Sequence, residues 1–313
     1  VELDPHHAFA LPFLIPSFRA WLEGDCDRAG EVLAEVLDRR LEFFLPVGRV
    51  SALVHDARFR LFLGDAAAAR ADLERALDGL AQGSTVEGWV RLELALALCD
   101  LGDAAGAAEQ LARMAADGTA LYRAQALLWQ GMTMISSGDT PSLESVADRL
   151  RCMPVGSVRE FGSPMPRLRE RVHRFLPFLL EGERALVDGN AAAALQAFAE
   201  ACGGLPANLD APVPLATTGP RLHLAAREGT ARALAALGRY DEAYAAESWI
   251  LDRKLLLFVA SQGGVGVWMA SLARRAALSL ARGRRKAASR DANEVIARWG
   301  RLVPEPPVVR QAR

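Results

Sequence analysis

Glycine interrupts this chain at a recurring place. Gly24, Gly64, Gly102, Gly138, Gly189, Gly238 and Gly283 each separate two Ala-, Leu- and Arg-rich runs, at intervals of 40, 38, 36, 51, 49 and 45 residues. In the first five breaks Asp or Asn follows the glycine. A glycine can end one helix in the left-handed conformation, and the Asp or Asn can cap the next. The flanking positions carry a stronger constraint. Seven residues before each glycine stand Ser17, Ala57, Ala95, Gly131, Gly182, Ala231 and Ala276, all small. Five residues after it stand Ala29, Ala69, Ala107, Leu143, Ala194, Ala243 and Ala288. Twelve after it stand Val36, Ala76, Met114, Leu150, Ala201, Ile250 and Val295, all apolar. Two antiparallel helices joined by a short turn approach closely only where side chains are small, so positions −7 and +5 fall where paired helices cross. Position +12 continues the same face two turns further on.

Little competes with this helical reading. Runs of alternating β-branched and polar residues are nearly absent, while apolar residues recur at three- and four-residue spacing. Apolar residues make up 51% of the 313 and charged residues 24%, enough for a continuous core. The expected fold class is all-α, with seven helix-turn-helix connections.

The repeated pattern resembles the tetratricopeptide repeat (TPR), a helix pair of roughly 34 residues with small residues at matching places and a Gly-x-Tyr turn. Gly238, Tyr240 and Ala243 match that turn, and Pro5 in the opening VELDP stands where a preceding repeat would end. The resemblance covers nearly the whole chain and implies a right-handed α-solenoid of about seven TPR-like antiparallel helix pairs. The chain departs from the family in its longer intervals, in lacking the turn Tyr at the other six breaks, and in Leu143 at a position where Ala is expected.

Two Pro/Gly-rich segments divide the array, MPVGSVREFGSPMPR at 153–167 and GGLPANLDAPVPLATTGP at 203–220. The expected organisation is repeats 1–4 in 1–152, a connector at 153–167, repeat 5 in 168–202, a second connector at 203–220, and repeats 6–7 with a basic end in 221–313. The connectors read either as binding loops along one edge or as plain links between sub-blocks.

Net charge is −1, which argues against a nucleic-acid coat. The charge is uneven: residues 250–313 balance at +9, leaving −10 for 1–249. The basic end either docks an acidic partner or is a solvated helix face. Cys26, Cys99, Cys152 and Cys202 include no CxxC pair and read as small apolar residues of a reduced cytoplasm. The uncharged stretch LLLFVASQGGVGVWMASLA at 255–273 is broken by its SQGGVG centre and reads as two helix ends around a turn rather than a membrane span. The chain opens on Val rather than Met and reads as a piece of something longer.

The motifs of catalysis are missing. There is no Gly-Lys pair for a P-loop, no GxSxG and no HExxH. SQGGVGVW at 261–268 looks like a phosphate loop but lacks the preceding strand and the last glycine of GxGxxG, so it reads as a helix connection. His6, His7, His55, His173 and His223 have no partner at metal-ligand spacing, and Glu181 and Glu183 do not face each other on a helix. The Arg-rich stretches at 167–174 and 280–290 lack the interleaved aromatics of a nucleic-acid surface. We expect no enzyme, no cofactor and no metal.

In the resembled family the first helix of each pair lines the concave side. Carried over residue by residue, that places Phe18, Trp21, Arg58, Phe62, Trp89, Gln125, Met132, Glu183, Glu228 and Arg232 in a groove suited to a partner peptide or helix. Any one aromatic here, Trp21 and Phe62 above all, can equally be core between repeats. The resemblance implies a non-catalytic protein-interaction scaffold, an arm of a multidomain bacterial signalling protein such as one with an adjoining kinase or NTPase domain. The alternative is a ligand-sensing domain that holds a small molecule or signal peptide inside the superhelix. A pocket enclosed by Trp21, Phe62 and Trp89 would favour sensing. Neither reading involves nucleic acid or membrane.

Overall fold

Five of the seven glycine turns lie among the described residues, and all five are built alike. In the computed structural model Gly64, Gly102, Gly189, Gly238 and Gly283 all take positive φ, between 71° and 86°. At Gly102 the glycine N–H donates to the Cys99 carbonyl at 3.0 Å, and the Asp103 N–H donates to the Leu98 carbonyl at 2.8 Å. The same pair of bonds recurs at the other four turns. It satisfies the last carbonyls of the first helix and reverses the chain in two residues. The side chains of Asp25, Asp65, Asp103 and Asn190 then accept from the backbone N–H three residues on, capping the second helix. Arg239 and Arg284 occupy the same place without a side-chain cap.

The structure describes residues 16–17, 19–20, 23, 25–40, 46–137, 140–152, 166–203, 219–253, 263–302 and 305–313. Gly24, Gly138, most of the first connector (153–165) and most of the second (204–218) lie outside them. Fourteen α-helices and no strand are found among the described residues. We number them α1 Cys26–Arg40, α2 Pro46–Leu63, α3 Ala66–Leu77, α4 Thr85–Leu101, α5 Ala104–Asp117, α6 Ala120–Ser137 and α7 Thr140–Cys152. They continue as α8 Pro166–Val187, α9 Ala191–Gly203, α10 Gly219–Ala236, α11 Tyr240–Leu251, α12 Gly264–Ala281, α13 Arg285–Trp299 and α14 Pro307–Ala312.

The chain forms two compact units, residues 1–81 and 82–313. In the first, α2 pairs with α3 and α1 packs on α2. Ser17 Oγ donates to the Ala29 carbonyl at 2.7 Å, tying α1 to the helical turn before it. Arg60 Nε lies 2.8 Å from a carboxylate oxygen of Asp56 and of Asp72, which joins α2 to α3. Burial first, then the neighbouring Asp72 carboxyl, push Asp56 up to about 6 against the pull of Arg60.

The second unit holds five helix pairs, α4/α5, α6/α7, α8/α9, α10/α11 and α12/α13, each also packed against the next. The small and apolar register positions are buried throughout. Ala57, Ala95, Gly131, Gly182, Ala231 and Ala276 are buried at −7, and Ala69, Ala107, Leu143, Ala194, Ala243 and Ala288 at +5. At +12 the same holds for Ala76, Met114, Leu150, Ala201, Ile250 and Val295. Leu143, the exception to Ala at +5, faces a glycine: a Cβ on Gly131 would stand 3.4 Å from its Cδ1 and 2.7 Å from Leu180 Cδ2. One pair has exchanged which partner is small. Tyr240, which matches the family's turn residue, leaves 43% of its surface exposed and does not fill the turn beside Gly238.

Ala243 tests the register. It is fully buried and packs with Leu234 and Leu278. Ala243→Leu is expected to force the pair apart and cost about 1–3 kcal/mol. Urea denaturation checks this, and parental stability in the variant would contradict the assignment.

Candidate functional site

The glycines of SQGGVGVW have a structural use. Within the second unit the first helices α4, α6, α8, α10 and α12 touch in succession, and α12 then touches α4. The five first helices therefore form a closed inner ring. Closure occurs at two glycines. Gly263, at φ +60° just before α12, would bring a Cβ within 2.9 Å of Leu96, and its N–H donates to Glu93 Oε1 at 3.3 Å. One turn later, any side chain on Gly266 would overlap the Asp100 carboxylate. α14 packs on α12 and α13 and also reaches α4, where Pro307 lies against Gly102.

Where α10, α11 and α12 pack, with reach to α6 and α8, polar side chains meet one another. Arg274 on α12 donates to Glu228 at 2.8 Å, to Glu247 at 2.5 Å and to Ser271 Oγ at 3.2 Å. Arg221 on α10 donates to the other Glu228 oxygen at 3.0 Å, and its guanidinium lies 4.6 Å over the Trp129 ring on α6. Arg232 forms a two-pronged pair with Glu183 of α8, one prong at 2.9 Å. Burial acts to raise Glu228, but the guanidiniums of Arg274, Arg221 and Arg232 outweigh it and hold the carboxyl below its ordinary range. For Glu247 burial prevails over Arg274 and the value is raised. Burial opposes the charge on Arg274 as well, yet Glu247 and Glu228 keep it firmly protonated. Asp100 differs. Burial pushes it up to about 7, with Arg221 opposing and Glu228 and Glu93 adding to the rise.

The groove positions read from the sequence fall in three places. Phe18 and Trp21 lie outside the described residues. Arg58 and Phe62 on α2 are buried in the first unit. Trp89 on α4 and Gln125 on α6 are buried in the second, and Met132 is half-buried. Glu183, Glu228 and Arg232 come together in the ring network. Sequence reasoning missed Glu93, Asp100, Arg221, Glu247 and Arg274. A signal existed in part: Glu93 and Asp100 are the two acids within the otherwise apolar run LELALALCD. The residues that face them, Gly263 against Glu93 and Gly266 against Asp100, stand more than a hundred residues away and have no local signature.

A second polar cluster sits at Trp249, where Arg227 and Arg253 lie 4.8 and 3.8 Å from the ring centre. Burial, reinforced by both guanidiniums, lowers His223 to about 4, and its neutral ring accepts from Arg227 at 3.4 Å. Cys99, Cys152 and Cys202 are free thiols, and burial, ahead of the Asp100 charge, pushes Cys99 up to about 12. Among the described residues no three His, Cys, Asp or Glu side chains are grouped to hold a metal, and no helix is long and apolar enough to cross a membrane. His6 and His7 lie outside the described residues.

These helix pairs define the class by their fold: an all-α array of stacked antiparallel helix pairs, which resembles the tetratricopeptide repeat in its buried small-residue register. No family model matches the chain, and no curated protein matches it either. Among solved structures, a tetratricopeptide repeat protein from Parabacteroides merdae ATCC 43184 is similar at a TM-score of 0.42 and 16% identity, over 97% of this chain and 98% of that one.

Proposed function

We propose that the chain is a non-catalytic protein-interaction scaffold whose second unit presents its turn edge to a partner. In stacked antiparallel pairs all the intra-pair turns lie at one end, and the Arg282–Asp241 ion pair links two successive turns here. The observation that carries the reading is where apolar surface remains exposed. Val187, Leu237, Tyr240 and Leu280 are 60, 41, 43 and 60% exposed, and each stands within three residues of a turn glycine in three successive pairs. Apolar anchors at repeat spacing on one edge suit a partner helix or strand. The charged groove positions Glu183, Glu228 and Arg232 are engaged with other ring residues, which weakens the case for a partner helix in that part of the groove. A cytoplasmic role as one arm of a bacterial signalling protein, beside a kinase or NTPase domain, rests on the free cysteines and the family resemblance.

The test is a triple variant, Val187→Asp, Leu237→Asp and Leu280→Asp, all at exposed sites. It is expected to keep its helicity and thermal midpoint while losing most partner capture relative to the parent chain. Undiminished capture by a folded triple variant overturns the turn-edge assignment. A second reading, small-molecule sensing by the second unit, is favoured by one observation: Asp100, half-buried against Gly266, has no ion pair or hydrogen bond among the described residues.

A further inference from the structure

The turn at Gly283 carries charge that the neighbouring turns do not balance. Arg284, Arg285 and Lys286 are all exposed, and none of them forms an ion pair among the described residues. The two preceding turns are neutralised locally. Arg239 pairs with Glu242, Asp241 pairs with Arg282, and Asp188 lies 3.7 Å from Arg184. Further along α13, Asp291 is shared by Arg275 and Arg290. The free cations do not help the fold. α13 has no acidic residue in its first turn and no side-chain cap, so the three gather at the positive end of its dipole. α11 also begins after an arginine, but Asp241 and Glu242 occupy its first turn.

The same turn ends the row of exposed apolar residues. Leu280 lies three residues before Gly283, and Leu237 and Val187 stand at the two preceding turns. Tyr244 joins the charge to this row. The Arg282 and Arg284 guanidiniums lie 4.7 and 5.9 Å from the centre of its ring, which packs against Leu234, Ala243 and Leu278. Arg284 is therefore ordered by the ring while it lacks a carboxylate, which lowers the entropy cost of meeting one. The first helices of these three pairs touch in succession, which sets neighbouring turns about 10 Å apart. A helix returns the same face every seven residues, about 10.5 Å. A strand covers that distance in about three residues, and the first and last then point to opposite faces.

We propose that the segment docking on this edge is an acidic amphipathic helix, with its apolar face on Val187, Leu237 and Leu280 and its Asp and Glu residues at the Gly283 end. This rests on the turn-edge reading above and names the partner's chemistry. Charge complementarity supports it: the apolar residues are flanked by paired charge at two turns and by unpaired positive charge at the third. A lipid surface or a nucleic acid fits less well. Either is negative throughout and would press on Asp188, Asp241 and Glu242, which are exposed on the same edge. A peptide helix can carry its acids only where the edge is basic.

The experiment is selection of a displayed library of random peptides of about 16 residues on the whole chain, long enough for a helix to cross three turns. The selected peptides are then titrated, beside phosphatidylserine–phosphatidylcholine vesicles and duplex DNA. Selected peptides are expected to carry apolar residues about seven apart, with Asp and Glu gathered toward one end. The combined variant Arg284→Ser, Arg285→Glu and Lys286→Glu is expected to weaken them at least about tenfold. Its thermal midpoint should equal or exceed that of the parent chain, because a serine cap and acids suit a helix N-terminus. Lost binding is then not lost folding. The Val187→Asp, Leu237→Asp and Leu280→Asp variant is expected to lose the peptides as well. Loss with that apolar variant alone, without acidic enrichment, overturns the acidic assignment and leaves the turn-edge reading standing. Loss with the charge variant alone, or with neither, overturns the turn-edge reading and the proposal with it. Tighter binding of the vesicles or the DNA than of any selected peptide overturns the choice of a peptide helix. A library that yields no binder counts against both.

Discussion

Arg274→Met is expected to destabilise the second unit by about 3–5 kcal/mol, because it removes one side of a buried ionic network and leaves the other in place. Arg274 is the only cation bonded to Glu247 among the described contacts, and Glu247 is fully buried on α11. Glu228 would retain Arg221 and so lose less. For a unit of this size the thermal midpoint should fall on the order of 10 °C. The pH dependence separates this cause from lost packing. In the parent chain the guanidiniums hold Glu228 below its ordinary 4.5, so its contribution is present above that value and is lost as the pH drops through the lower, folded one. At Glu247 the sign is already the opposite, because burial raises that carboxyl in the parent chain, and the variant strengthens the effect. Its carboxyl rises further, the folded state binds the proton more tightly than the unfolded chain, and acidification from pH 7 to pH 5 narrows the deficit. The double variant Arg274→Met with Glu247→Gln should recover at least half of the loss. Thermal scans across that pH range decide the matter, and a pH-independent deficit would show that the network is not the cause.

Phe198→Ala is expected to cost about 3–5 kcal/mol, at the upper end of the range for a buried aromatic. Phe198 on α9 is fully buried between two glycines of neighbouring first helices. A Cβ on Gly182 of α8 would stand 2.6 Å from its ring, and one on Gly229 of α10 would overlap it. When most large residues are truncated, neighbouring side chains lean into the space. Here the facing positions have no side chains to lean, so the cavity stays open. For the same reason Gly229→Leu in the parent chain is expected to be destabilising, while Gly229→Leu added to Phe198→Ala should restore part of the loss. Denaturant midpoints of the four proteins form a double-mutant cycle with a favourable coupling. Strict additivity would mean that ring and glycine do not share the space.

The helix pairing was legible in the sequence because its determinants are local. A left-handed glycine at Gly102, a cap at Asp103 and a small residue at Ala95 lie within nine residues of one another, and short-range sterics link them. The identity of the site was legible only as a list of concave positions. Glu183 and Arg232, which pair with each other, were on it together with Glu228, but the Glu228 partners Arg221 and Arg274 were not, since a carboxylate in a helix reads the same whether it faces solvent or a guanidinium 46 residues away. The stretch SQGGVGVW shows the limit well. Its glycines were evident, but that they admit Leu96 and Asp100, some 170 residues earlier, was not.

By itself, the sequence determined that this protein is a succession of antiparallel helix pairs, because backbone conformation, capping and helix crossing depend on residues a few positions apart. The tertiary structure alone decided that five first helices close into a ring, that buried charges meet between the pairs, and that Gly266 makes room for Asp100. Those outcomes depend on the small rotation each pair adds to the last, which accumulates over some two hundred residues and leaves no mark in any one of them.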